Sequence, residues 1–143
     1  MKIPSTNDLL KRLNETISVT ELEHYEQEAA KYHLTCTFPE FIEQQRKKAD
    51  ITPAKLIEKA QIQRNYGYQI LNGVKKPGRD KIISLCLALN LSLEETQRAL
   101  TIAKEGILYP KNTRDSVLIF CINQKLSVMD TNELLDIREE ELL

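Results

Sequence analysis

Gln63, Arg64 and Asn65 stand side by side, Gln69 follows about one helical turn later, and Lys75 and Lys76 come shortly after. These types share one chemistry. Arg carries a fork of N–H donors that matches the O6 and N7 acceptors of guanine, and Asn or Gln can donate and accept together at the N6 and N7 of adenine. Lys55, Lys75 and Lys76 supply point charges suited to phosphate, with Arg46, Lys47 and Lys48 as weaker candidates. Tyr68 could stack on a sugar or donate its hydroxyl to a phosphate. Each of these residues, alone, is also an ordinary solvated residue of a helix surface. Together they are informative, because the base-reading types fall within one stretch of helix.

No comparable set points to catalysis. His24 and His33 are nine residues apart, with no Cys or carboxylate group at metal-ligand spacing around them. The chain has no Gly-rich phosphate loop, no nucleophile elbow and no evident carboxylate pair. A protein that is not an enzyme, with no cofactor and no metal, is expected.

Thr52 to Pro77, TPAKLIEKAQIQRNYGYQILNGVKKP, must position the candidate residues. Thr52 can cap a helix whose first turn accepts Pro53, and Leu56, Ile57 and Ala60 recur at helical spacing. Gln61-Ile62 makes a turn. A second helix runs from about Gln63 to Asn72 with Ile62 and Ile70 inward, and Gly73 ends it. This pattern resembles the helix-turn-helix of the Cro/phage-repressor-like (Xre) family, through the apolar Ile62 after the turn and the Gly73-x-x-x-Pro77 that follows the second helix.

The resemblance implies a bundle in which the second helix enters the DNA major groove, with its early residues at base edges. It implies base contacts at Arg64, Asn65 and Gln69, with Gln63 beside them, and phosphate contact at Lys75 and Lys76. A longer likeness, over about 38–135, is to a bacterial Xre-like group carrying a helical extension. The chain departs from the family at Pro53, often Gln; at Gln61, often Gly; and at Gly67, usually apolar. Gln61 must tolerate an unfavourable backbone or a different turn, and Tyr66 or Tyr68 could fill the space left at Gly67. Tyr66, Tyr68 and Leu71 also leave a second function open, a protein–protein adaptor on a degenerate helix-turn-helix.

The remainder of the chain fits an all-α fold. Of its 143 residues 41% are hydrophobic and 6% aromatic, with four Gly, five Pro and no Trp, so an aliphatic helical core is expected. The net charge of −1 hides an asymmetry. Residues 1–37 carry 4 basic and 6 acidic side chains, 38–104 carry 12 and 7, and 105–143 carry 4 and 8. The basic block coincides with the motif, as a surface facing phosphates requires. Cys36, Cys86 and Cys121 are expected to be reduced core thiols. No secretory signal or membrane-length apolar run is visible, and the cytoplasm is the expected compartment.

Three segments are expected. Residues 1–36 form a helical arm, with starts at Ser5-x-x-Asp8 and Ser18-x-x-Glu21 and apolar stripes Leu9, Leu10, Leu13, Ile17 and Leu22, Tyr25, Ala29, Tyr32. The arm could pack on its own chain or on a partner. Residues 37–104 form the DNA-binding domain, opened by Thr37-Phe38-Pro39-Glu40. Residues 105–143 form a hairpin extension with an acidic tail.

An internal repeat links the last two. RDKIISLCLALNLSLEETQRAL (79–100) aligns without gaps to RDSVLIFCINQKLSVMDTNELL (114–135) at an offset of 35. Each copy reads as a helical hairpin, with second-helix caps at Ser92/Glu95 and Ser127/Asp130. Leu91, Leu100, Leu126 and Leu135 are expected to be buried at matching places. Asp80 and Asp115 suit first turns of helices, and Arg79 and Arg114 could bridge to carboxylates as scaffold. The whole reads as a transcriptional regulator that binds double-stranded DNA as a homodimer, with a possible protein partner and no membrane association.

Overall fold

Helix starts are written into this chain as caps, and the chain folds accordingly. A computed structural model describes residues 4–30 and 36–143, and these are all-α, with nine helices and no strand. The helices are α1 (Thr6–Asn14), α2 (Val19–Ala30), α3 (Phe38–Ala49), α4 (Pro53–Lys59), α5 (Arg64–Leu71), α6 (Arg79–Ala88), α7 (Leu93–Ile102), α8 (Thr113–Asn123) and α9 (Val128–Ile137). The side chains of Ser5, Thr37, Thr52, Gln63, Ser92, Asn112 and Ser127 each accept an N–H of the following first turn. None of the helices in the described residues is long and apolar enough to cross a membrane.

Two compact units divide the chain, one ending at Cys36 and the other Thr37–Leu143. In the first, Arg12 bonds Glu28 at 2.6 Å and lies 5.4 Å from the centre of the Tyr25 ring. That cation joins α1 to α2, and Leu10, Leu13, Ile17 and Leu22 stay exposed. Tyr32 and His33 lie outside the described residues.

In the second unit, α4 and α5 pack on each other, α5 also rests on α3, and α4 on α6. The core is aliphatic apart from Phe38 and Phe41; Ile42, Leu56, Ile70, Ile82, Ile83, Leu100, Leu118 and Leu135 are each at most 1% exposed. The boundary expected at 104/105 falls between two hairpins of this one unit. The core thiols are Cys86 and Cys121, whereas Cys36 is only half-buried, because it stands at the junction of the units and not on a packed helix face.

The repeat becomes two hairpins, α6–α7 and α8–α9, that pack with roles exchanged: α6 on α9 and α7 on α8. Arg79 gives Asp115 two bonds, of 2.9 and 2.8 Å, and also donates to the carbonyls of Gly106 and Ile107. Arg114 gives Asp80 two bonds, of 3.0 and 3.1 Å, and donates to the carbonyls of Glu141 and Leu142, at the matching offset of 35. Leu108 N–H donates to the Gln97 side chain, and Leu143 N–H to the Asn132 side chain, again at that offset. Such reciprocal contacts are those of a two-fold arrangement, here within one chain. The arginines are scaffold, bridging to carboxylates as expected. The matching is not complete: Leu91 is buried but Leu126 only half-buried.

Candidate nucleic-acid interface

The candidate side chains are held by the α4–turn–α5 segment. Thr52 Oγ1 accepts from Lys55 N at 3.2 Å and starts α4. At its end Gln61 adopts φ 56°, the left-handed conformation that a Gly would take freely. The turn is closed by Ile62 N–H donating to the Ile57 carbonyl at 3.2 Å, with the Ile62 side chain buried.

Gln63 then caps α5, its Oε1 accepting from Tyr66 N at 2.7 Å. This cap occupies its acceptor and leaves its amide N–H groups exposed. On α5, Gly67 and Ile70 are buried and three residues apart, which fixes the inner face. Arg64, Asn65 and Gln69 are exposed, and Tyr66, Tyr68 and Leu71 are half-buried. By helical geometry Arg64 and Tyr68 share one line of the outer surface, Asn65 and Gln69 the next. The Arg64 guanidinium lies 5.8 Å from the centre of the Tyr68 ring, a cation–π pairing that the spacing of four foreshadows.

The space at Gly67 is not filled by a tyrosine. A Cβ there would lie 2.6 Å from Ile57 Cγ2 and 2.7 Å from Ile57 Cγ1, so it is the Ile57 side chain of α4 that occupies it. The glycine sets how closely the two helices approach.

Gly73, at φ 79°, ends α5, and the exposed Lys75 and Lys76 follow before the buried Pro77. The N–H groups of Val74 and Lys75 both donate to the Gln69 carbonyl, at 2.9 and 3.1 Å, which ties this segment to the helix end. Lys55, on α4, is exposed and 3.6 Å from Glu58. Arg46 is engaged otherwise: it bonds both oxygens of Glu43 and donates to the Ile51 carbonyl at 2.7 Å, locking the end of α3. That bonding to Arg46 also lowers the pKa of Glu43.

The positive charge that the sequence places on residues 38–104 is concentrated around α5. Between Glu58 and Asp80 there is no carboxylate, while Lys59, Arg64, Lys75, Lys76 and Arg79 all fall in that interval. The α5 surface therefore combines planar amide and guanidinium donors with nearby lysine charge, while Arg79 is neutralised by Asp115. Comparisons of this chain with protein-family models, with curated proteins and with solved structures find no match.

Proposed function

We propose that this protein is a cytoplasmic, homodimeric regulator of transcription, similar to the Xre family, that lays α5 in the major groove of double-stranded DNA. Its role is binding and not catalysis. One observation carries the reading: Arg64, Asn65 and Gln69 are exposed opposite the buried Gly67 and Ile70, in an interval free of carboxylates. Arg64 and the two amides read base edges; Lys75, Lys76 and Lys55 hold phosphates, and Tyr68 steadies Arg64 or meets the backbone itself.

Selection of bound duplexes from a random pool, followed by titration of Arg64→Ala, tests the proposal. The variant should lose about 1–3 kcal/mol on the selected site and relax the choice at one base pair, with nonspecific binding nearly unchanged. Equal binding of wild type and variant, with the same base preferences, would remove Arg64 from readout. The adaptor alternative draws on the partly exposed Tyr66, Tyr68 and Leu71. It requires that Tyr66→Ala or Tyr68→Ala abolish a protein contact while Arg64→Ala is silent.

A further inference from the structure

Hydrogen bonding at the start of α5 limits what its first side chains can read. Tyr66 N is a donor, so the Gln63 atom 2.7 Å from it is the amide oxygen and not the nitrogen. That oxygen is turned back to the helix start, while Gln63 Nε2 has no hydrogen-bond partner among the described residues and the side chain is exposed. Gln63 thus offers its N–H groups outward. Arg64 carries donors alone. Arg46, Arg79 and Arg114 spend their N–H groups on carboxylates and carbonyls. Arg64 is instead met by the face of the Tyr68 ring, which uses none of them. Asn65 and Gln69, exposed on the adjoining line of the helix, keep amide oxygen and nitrogen both available.

We propose that Gln63 is a specificity-determining residue that reads guanine, so that the DNA site presents guanine to both Gln63 and Arg64 and leaves adenine to Asn65 and Gln69. The inference rests on the major-groove reading of α5 and extends it to a side chain outside the base-reading set above. Residue type alone would pair Gln63 with adenine, and the cap reverses that. An amide recognises adenine by accepting from N6 and donating to N7 together. Gln63 would have to turn its oxygen outward to do so, and α5 would lose its cap. Cytosine offers only its N4 donor to such a side chain, and thymine only its O4 acceptor. Guanine alone presents two neighbouring acceptors, O6 and N7, and no donor. The paired N–H groups of Nε2 match that edge while the oxygen stays on Tyr66 N. The first turn of the helix is therefore a donor surface, and the sites it favours are rich in acceptors.

The test is selection from a random duplex pool by the full chain, repeated with Gln63→Ser and Gln63→Glu. Serine keeps a capping oxygen but does not reach a base edge; glutamate keeps the cap and the length but has no donor. Wild type should select guanine at one base pair whose choice depends on Gln63. Gln63→Ser should relax the choice at that pair and weaken binding of the selected duplex about tenfold, with an unchanged melting temperature. Gln63→Glu should move the preference there toward cytosine, whose N4 donates. Adenine or thymine at the pair controlled by Gln63 would overturn the proposal. So would a Gln63→Ser variant that changes nothing, or one that weakens all duplexes alike, as loss of a phosphate contact does. In those cases a base preference that still depends on Arg64 leaves the regulator reading standing, whereas a pool from which no duplex is enriched removes both.

Discussion

Arg79 and Asp115 meet as guanidinium and carboxylate in parallel two-bond contact, 36 residues apart in sequence, and Arg114 and Asp80 repeat the contact with the partners interchanged. The Asp115 side chain is 7% exposed and Arg79 25%. Removing one partner leaves the other without compensation. Asp115→Asn should therefore destabilise the fold by about 3 kcal/mol, while replacing both partners by apolar residues should cost much less. Urea unfolding of the single and double variants measures the difference.

The same pair makes stability depend on acid. Burial alone would raise the Asp115 pKa, but bonds from Arg79 and the Tyr109 N–H, with the charges of Arg79 and Arg114, outweigh it and hold the carboxyl below its ordinary value. The stabilisation is complete above the unfolded-state value of about 4 and is lost as pH falls through the lower folded-state value. Wild type should lose stability across that acid window, and Asp115→Asn should show a shallower dependence there. Thermal melts from neutral pH downward would reveal it; parallel curves would exclude Asp115 as the titrating group.

Gly67→Ala should destabilise, against the helix-propensity gain of up to about 1 kcal/mol that alanine brings. The new methyl meets Ile57 carbons at 2.6 and 2.7 Å, an overpacking that costs about 1–3 kcal/mol. In an Ile57→Ala background the same change should become neutral or favourable. Additive effects in that double-mutant cycle would show that the two side chains do not collide.

Lys75→Ala with Lys76→Ala should weaken binding to all duplexes alike and flatten the dependence of log affinity on log salt by up to about two units. Titrations at several salt concentrations measure the slope. An unchanged slope would take both lysines out of the interface.

Cys86 should resist thiol reagents in the folded protein. Burial pushes its pKa to about 12, only partly offset by the bond to Thr96, so almost no thiolate exists at neutral pH. Mass spectrometry after alkylation should find Cys86, and Cys121, whose pKa burial also raises, unmodified until denaturant is added.

Much of the architecture was legible because its signals are local. Caps at Thr52, Ser92 and Ser127 marked helix starts, and the alignment of 79–100 with 114–135 announced two hairpins. An alignment gives equivalence but no symmetry operator, so the crossing of Arg79 to Asp115 was not to be read from it. Gly67 illustrates the same limit: its vacancy was visible, but only packing between α4 and α5 shows that Ile57 takes it. Equivalent positions also meet unequal neighbours, which is why Leu126 is less buried than Leu91. At the site, the outward placement of Arg64, Asn65 and Gln69 follows from periodicity about Ile70. Their donor types were plain in the sequence, whereas the pairing of Arg64 with Tyr68 and the use of Gln63 as a cap needed coordinates.

Each helix of the 37–143 unit stops at a residue of positive φ, and only Gly73 among these is a glycine. Asp50, Gln61, Asn90, Lys104, Lys125 and Glu139 all hold φ between 53 and 60°. A side chain in that conformation costs up to about 1 kcal/mol more than glycine would. Six surface positions therefore hold a latent margin, releasable one substitution at a time without altering a packed face. A lineage carrying this fold could draw on that margin to tolerate destabilising changes at α5 while its recognition surface drifts toward a new target.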